Sequence, residues 1–357
     1  MPLLARTITA PLVVDIRPGA IRDLAPVLAE HRISAGGQVA VVVGSHTAEA
    51  VLERLGNQLP EADVFRIEGG TLDTALHLAR DAGHRQYDAV IGVGGGRVLD
   101  VTKFAAARLG LPVVTVATNL AHDGIGSPTC ILDTDSGRGS YGVPAPIAVL
   151  VDLELVRAAP RRSVRAGIGE TLSNICALED WQLAHERTGE AVDGLAMMLA
   201  RSAADAVLYQ RGTIDSDAFL HTLAESLVLS GQAMVIAGSS RPCSGACHEI
   251  SHAIDLLFPD RRGYHGEQVG VGAAFATFLR KDEERLEQIV AALRWHGLPV
   301  VPADLGFTVE EFTRIVLAAP QTRPGRHTIL EELALSDEGT LLAVKDYIDA
   351  VSGPAWA

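Results

Sequence analysis

Short runs of β-branched apolar residues alternate with longer segments of helical periodicity in the first 150 residues of the chain. The runs predict strands, and the segments between them predict amphipathic helices. This alternation is typical of βαβ units in a parallel sheet. Strands that are apolar throughout are expected where both faces of the sheet are covered. The predicted strands are 38–44, 64–67, 89–94 and 112–117, and the predicted helices are 45–55, 71–82 and 98–107.

The pattern changes after residue 130. A polar turn at 133–139 separates two extended stretches, 130–132 and 147–151, which predicts a hairpin or an edge ribbon. Beyond Leu153 only helical periodicity remains. We therefore expect an α/β domain over residues 1–155 and an all-helical domain over residues 156–357. The predicted helices of the second domain are 164–184, 191–209, 218–236, 247–257, 269–278, 282–295 and 309–317, before a break at 320–324 and a short C-terminal helix.

Composition and charge narrow the function classes. The 357 residues, 48% of them hydrophobic, supply core material for two domains. The net charge of −14 disfavours nucleic acid and anionic membranes as main partners, because both bind clustered Lys and Arg. Four cysteines are too few for a disulfide scaffold. No signal layout and no membrane-length apolar run is found, so we expect a cytoplasmic protein without membrane insertion.

Three successive glycines, Gly94, Gly95 and Gly96, follow a predicted strand and open a predicted helix. Glycine lets a backbone approach a pyrophosphate closely, and a helix N-terminus supplies free N–H groups and partial positive charge. The spacing differs from the GxGxxG dinucleotide fingerprint, so a tight structural turn is the alternative. Asp100, one turn into the helix, either complements the helix dipole or orders the loop and reaches a cofactor.

Polar residues also follow the next predicted strand, among them Thr118, His122, Asp123 and Ser127. Ligands of open parallel sheets bind beyond the carboxyl ends of the strands, which is where this segment lies. The alternative interpretation is an ordinary polar loop with an Asp-Gly turn.

Three of the twelve histidines fall within 18 residues. His248 and His252 are spaced i, i+4 and so share one helix face, and His265 opens the next predicted helix. Imidazole is the commonest ligand for Zn²⁺ and Fe²⁺, and the alternative is a pair of polar-face or partly buried histidines.

Glu170 is a further candidate, because a carboxylate with two imidazoles is a common open metal site. The alternative is an ordinary carboxylate in the first turn of a helix. Cys243 and Cys247 could contribute to a structural zinc site, but no CxxC knuckle is present, and we expect both to serve in packing.

Five motifs together resemble the iron-containing alcohol dehydrogenase, glycerol dehydrogenase and dehydroquinate synthase superfamily. They are GVGGGRVLDVTKFAA (92–106), ATNLAHDGIGSP (117–128), GIGETLSNICALEDWQLA (167–184), SGACHEISHAID (244–255) and YHGEQVGVG (264–272). Within it, the chain is most similar to the sn-glycerol-1-phosphate dehydrogenase branch. The resemblance implies a dehydroquinate synthase-like fold, with a Rossmann-like sheet domain before an all-α domain, and a homo-oligomer.

The resemblance also implies roles for particular residues. Asp123 and His252 would contact the substrate and take part in catalysis. Glu170, His248 and His265 would bind a divalent metal, Zn²⁺ in preference to Fe²⁺, in a cleft between the two domains. The cofactor would be NAD(H) or NADP(H), since the segment 44–47 favours neither. The residues implied to line it are Gly94, Gly95, Gly96, Arg97, Asp100, Thr118 and Ser127.

The expected activity is the reduction of a small phosphorylated ketone, dihydroxyacetone phosphate, to sn-glycerol 1-phosphate. Glu170 differs from the residue expected in the sn-glycerol-1-phosphate dehydrogenase branch. That branch resembles the chain elsewhere but has an aspartate at this position. The alternatives are therefore a reductase of a phosphonate aldehyde or another polyol or aldehyde, a dehydroquinate-synthase-like cyclase, and a non-catalytic nucleotide-binding paralogue. The ligands of the substrate phosphate stay unassigned among Arg161, Arg162, Arg165, Arg261 and Arg262.

Overall fold

The structure, a computed structural model, describes residues 9–135 and 137–353. The chain divides into two compact units, Met1–Pro160 and Arg161–Ala357. The boundary predicted at residue 155 lies inside a short helix, Leu153–Ala158, just before this division.

The first unit alternates strands and helices. Its strands are β1 (Val13–Arg17), β2 (Val39–Gly44), β3 (Asp63–Ile67), β4 (Ala89–Gly94), β5 (Val113–Ala117), β6 (Thr129–Thr134), β7 (Gly137–Gly142) and β8 (Ala148–Asp152). Its helices are α1 (Leu24–Glu30), α2 (Ala48–Leu55), α3 (Leu72–Ala82), α4 (Gly96–Leu109) and α5 (Leu153–Ala158).

Six of these strands form a parallel sheet in the order β1-β8-β5-β4-β2-β3. Alternate residues of a strand face opposite sides, and in β2 Val41 and Val43 join one apolar core whereas Ala40 and Val42 join another. Both faces of the sheet are therefore covered. The predicted α/β class, with a helical region after it, is confirmed.

The prediction for the ribbon is wrong in its second strand. β6 pairs antiparallel with β7, whereas β8 lies between β1 and β5 in the main sheet. Every residue of β8 is buried, as an all-apolar run requires. The true partner, β7, has the sequence GRGSYG, which is partly exposed and contains few apolar residues. The edge strand β1 was not predicted.

The second unit is helical. Its longest helix, α6, is buried on nearly all sides between Ser163 and Leu178 and packs against α7, α8, α9 and α10. The C-terminal α14 is longer than expected. The helices are α6 (Arg161–Thr188), α7 (Gly194–Tyr209), α8 (Asp217–Ala237), α9 (Ala246–Leu257), α10 (His265–Leu279), α11 (Glu283–Trp295), α12 (Val309–Ala318), α13 (Ile329–Leu333) and α14 (Asp337–Ser352).

Helix α8 is long and apolar enough to cross a membrane by length and composition. Within its most apolar window 61% of the helix is buried inside the unit, which is the pattern of a core helix in a soluble protein. It is the one such helix among residues 9–135 and 137–353.

Candidate functional site

The glycine turn lies at the junction between strand β4 and helix α4. Gly94 ends the strand, Gly95 is the N-cap, and Gly96 is the first helical residue. A Cβ atom on Gly95 would overlap the Asn119 amide, and one on Gly96 would overlap the His122 ring. The glycines therefore allow the loop that follows β5 to approach, which supports the structural alternative without excluding phosphate binding at the helix N-terminus.

The loop after β5 is fixed to this turn and to α4. The Thr118 backbone N–H donates to the Gly94 carbonyl at 3.1 Å. Lys103, which is fully buried, donates from Nζ to the Gly124 carbonyl at 2.8 Å and to the Thr129 carbonyl, and it pairs with Asp100 at 3.1 Å. The sequence prediction missed Lys103, although its i, i+3 spacing from Asp100 on α4 was a usable signal.

Asp123 sits in this loop with an unusual electrostatic environment. Desolvation raises the pKa of its carboxyl to about 7, while nearby Lys103 opposes the rise and Asp100 adds to it. Burial disfavours the charged carboxylate of Asp123 more than the Lys103 ammonium stabilises it, so the protonated form persists to higher pH than in a free aspartate. Asp123 is thus able to exchange a proton near neutral pH.

The structure places the other predicted cofactor residues at the same edge of the sheet. Ser127 is buried, and its hydroxyl lies 3.2 Å from the Thr129 hydroxyl. Arg97, by contrast, is exposed at the start of α4.

In the helical unit, Glu170 of α6, His248 of α9 and His265 of α10 come together. One ligand atom from each lies within 4.8 Å of the others. His265 Nε2 is 3.6 Å from Glu170 Oε2, and the two histidine ring centroids are 5.0 Å apart. It is the one group of three or more potential metal ligands found in the described part of the chain. We call these three residues the triad.

Close helix packing brings the triad together. A Cβ on Gly169 would overlap the Gly266 carbonyl, and a Cβ on Gly266 would overlap the Ala166 carbonyl. These glycines let α6 and α10 touch directly beside Glu170 and His265. The sequence pattern did not predict this packing role of Gly169 and Gly266. Glu170 also lies well inside α6, which begins at Arg161, and not in a first turn.

Hydrogen bonds orient both imidazoles. Ser251 Oγ donates its single proton to Gln268 Oε1 at 2.6 Å, so it accepts from His265 Nδ1 at 2.9 Å. This tautomer leaves the His265 Nε2 lone pair facing Glu170. His248 Nδ1 lies 3.4 Å from Cys247 Sγ. Burial lowers the pKa of His248 well below its usual value, and the neighbouring His265, His252 and Arg323 side chains lower it further, so this ring is neutral.

His252 lies near the triad but is not part of it. Its ring centroid is 6.4 Å from that of His248 and 6.3 Å from that of His265. Arg323 Nη2 is 3.1 Å from His252 Nε2, and because a guanidinium only donates, Nε2 accepts and the proton is on Nδ1. Arg323 was not among the predicted residues, because it is 71 positions from His252 in sequence.

The four cysteines are buried and unbridged. Cys243 Sγ donates to the Ser230 carbonyl at 3.3 Å, and Cys247 Sγ lies 3.7 Å from the Ser173 carbonyl. Neither belongs to a cluster of metal ligands in residues 9–135 and 137–353.

Known proteins resemble the chain over most of its length. The family model for iron-containing alcohol dehydrogenases matches residues 15–160. A glycerol-1-phosphate dehydrogenase [NAD(P)+] of Nitrosopumilus maritimus is 31% identical over 316 residues, 86% of this chain and 87% of that protein. The protein of the same name from Thermofilum pendens is 41% identical over 266 residues, 73% of this chain and 76% of that protein. The chain belongs to the iron-containing alcohol dehydrogenase family.

Solved structures of the family share its fold. A probable glycerol dehydrogenase from Sinorhizobium meliloti superimposes with a TM-score of 0.78 at 24% identity, covering 96% of this chain and 98% of that one. Glycerol dehydrogenase from Schizosaccharomyces pombe gives the same TM-score at 20% identity, covering 99% and 92%. The resemblance found in the five sequence motifs is thereby confirmed, and NAD(P) and a metal are the cofactors of this family.

Proposed function

We propose that this member of the iron-containing alcohol dehydrogenase family reduces dihydroxyacetone phosphate to sn-glycerol 1-phosphate with NADH or NADPH and a divalent metal. The observation that carries the proposal is the triad, an open set of one carboxylate and two imidazoles, in a chain that is 31% to 41% identical to glycerol-1-phosphate dehydrogenases. The activity is that of an oxidoreductase acting on a CH–OH group.

The donor set of the triad fits a metal. Two imidazoles and a carboxylate bind Zn²⁺ and Fe²⁺, and we favour Zn²⁺ because its catalytic sites commonly have three N or O protein ligands. Glu170 stands where the branch is expected to have aspartate. Its longer side chain still reaches the histidine pair, since Oε2 is 3.6 Å from His265 Nε2.

When bound, the nicotinamide supplies hydride and the metal polarises the substrate carbonyl. Glu170, His248 and His265 would hold the metal. We assign His252, whose Nε2 accepts from Arg323, to contact a substrate oxygen. We assign to Asp123, whose carboxyl has a pKa of about 7, the orientation of a substrate hydroxyl and assistance in proton transfer.

For the dinucleotide, we propose the turn at the start of α4 together with the loop after β5. The backbone N–H groups of a helix N-terminus favour a pyrophosphate. Lys103 holds this loop in place by donating to the Gly124 and Thr129 carbonyls, and Asp100 pairs with Lys103. The residues assigned to this role are Gly94, Gly95, Gly96, Arg97, Asp100, Thr118 and Ser127.

Metal analysis coupled to a cofactor assay tests the proposal. We expect about one Zn²⁺ or Fe²⁺ per chain and oxidation of NADH or NADPH with dihydroxyacetone phosphate, lost after chelation and restored by the metal. Faster turnover of phosphonoacetaldehyde or glyceraldehyde would replace the proposed substrate. Turnover without net consumption of NAD(P)H would indicate a cyclase, and full activity of the metal-free protein would contradict the role of the triad.

The contact between Ser251 and His265 gives a prediction for metal affinity. Ser251→Ala removes the acceptor that fixes the His265 tautomer, and loss of such a partner costs roughly 10- to 100-fold in metal affinity. Competition with a chromogenic chelator measures this change. Ser226→Ala is the matched control, because this buried hydroxyl on α8 has no hydrogen-bond partner in the described structure. Equal metal affinities in the two variants would show that Ser251 does not support His265.

A further inference from the structure

Arg323 is placed beside the histidine cluster by the segment between the 3₁₀ turn Ala319–Thr322 and helix α13. Its Nη2 donates to His252 Nε2 at 3.1 Å. Its Nε is enclosed by protein and has no hydrogen-bond acceptor within the described structure. The side chain is therefore held at one end of the guanidinium, while a second donor on the same planar group lacks an acceptor.

Other arginines of the helical unit are neutralised by carboxylates. Arg161 pairs with Asp215, Arg162 with Glu267, and Arg261 with Glu311. Three of the arginines considered from sequence as phosphate ligands are thus already paired. A guanidinium that is locked to a carboxylate has fewer donors and less net charge to offer an anion.

Arg323 and Arg326 differ from those arginines. Arg326 donates to the Ser244 carbonyl and the Ser240 hydroxyl, which are neutral acceptors. Neither guanidinium is hydrogen-bonded to a carboxylate in residues 9–135 and 137–353. Two cationic side chains without such a carboxylate, close to the triad, create a local positive site in a chain of net charge −14.

On the basis of the proposed function, we propose that Arg323 binds the phosphate group of the substrate and sets the preference for phosphorylated over unphosphorylated ketones. The guanidinium offers N–H donors in a planar fork, the geometry that matches two phosphate oxygens. His252 contacts Arg323, and its ring centroid is 6.4 Å from that of His248 and 6.3 Å from that of His265. A three-carbon phosphate ester bound to Arg323 would therefore lie near the metal ligands.

Paired substrates separate recognition of the phosphate from a general effect on the site. In Arg323→Gln we expect KM for dihydroxyacetone phosphate to rise roughly 100-fold, as for removal of one partner of a buried charge pair. With dihydroxyacetone, kcat/KM should fall by no more than about tenfold, because the contact with His252 is lost but no phosphate contact is. Arg323→Lys keeps the charge but not the planar fork, so its KM for dihydroxyacetone phosphate should lie between those of the native protein and Arg323→Gln. Arg201→Gln is the control, since Arg201 pairs with Glu179 on the surface.

A binding measurement decides the inference without turnover. Inorganic phosphate at millimolar concentration should raise the thermal unfolding midpoint of the native protein and of Arg201→Gln, relative to chloride at equal ionic strength, but not that of Arg323→Gln. Equal losses of kcat/KM with both ketones would overturn the assignment of Arg323. So would an increase of the unfolding midpoint by phosphate that is the same in Arg323→Gln as in the native protein. If the native protein turned over neither ketone, the proposed function would fail, and the phosphate measurement would still test Arg323.

Discussion

Replacement of His265 by alanine is expected to remove the bound metal and to lower kcat with dihydroxyacetone phosphate by roughly 1000-fold or more. His265 is the first residue of α10, and its Nε2 faces Glu170 at 3.6 Å. Without it, only one carboxylate and one imidazole remain, which is fewer than the three protein ligands of a typical catalytic zinc site. The carbonyl would then lose its electrophilic activation.

The fold should survive this substitution. The His265 side chain is 26% exposed and lies at the end of a helix, so its removal leaves no closed cavity in the core. We expect a shift of the thermal midpoint of no more than about 4 °C. The measurements are metal content by mass spectrometry, steady-state kinetics and circular dichroism. His221→Ala is the control, because this exposed histidine on α8 pairs with Glu225 on the same helix. Native activity in metal-free His265→Ala would refute the assignment.

The strands of the sheet could be predicted from the sequence where they consist of apolar residues throughout. Strands β2, β4 and β5 are buried on both faces, and such strands must be apolar throughout, so their sequences identify them. The edge strand β1 and the ribbon strand β7 are partly exposed, and their residues need not be apolar. β8 was recognised as extended, but the sequence cannot show which strand lies beside it, because pairing is decided by long-range contacts.

Spacing alone predicted the site only to the level of its residue types, whereas the family resemblance implied the set Glu170, His248 and His265. Helix periodicity places His248 and His252 on one face, and only the packing of α6, α9 and α10 shows that His248 joins Glu170 and His265. That packing depends on Gly169 and Gly266, whose role in the contact between two helices no local pattern shows. Ser251 and Arg323 act through contacts between distant segments, so no local pattern reveals them. Lys103 could have been found only from its i, i+3 spacing to Asp100.

The largest effect on stability is expected at Asp180 of α6, the buried carboxylate that joins three parts of the helical unit. It pairs with Arg280, accepts from the backbone N–H of Ala246 at 2.7 Å, and accepts from that of Ile329 at 2.8 Å. Its side chain is fully buried. Asp180→Ala would leave a buried guanidinium and two helix N-terminal N–H groups without their acceptor, so we expect a loss of about 3–5 kcal/mol in the free energy of unfolding.

Urea unfolding followed by tryptophan fluorescence measures this loss, because Trp181, Trp295 and Trp356 all lie after residue 160. Asp215→Ala is the matched control. It breaks an exposed pair with Arg161 and should leave the free energy of unfolding nearly unchanged, because solvent screens such a pair. Asp180→Asn keeps the shape of the side chain and one acceptor oxygen, so its free energy of unfolding should lie between those of Asp180→Ala and Asp215→Ala. Ala246 begins the helix that carries His248, so Asp180→Ala should also weaken metal binding. Equal stabilities of Asp180→Ala and Asp215→Ala would show that the buried carboxylate does not hold these helices in place.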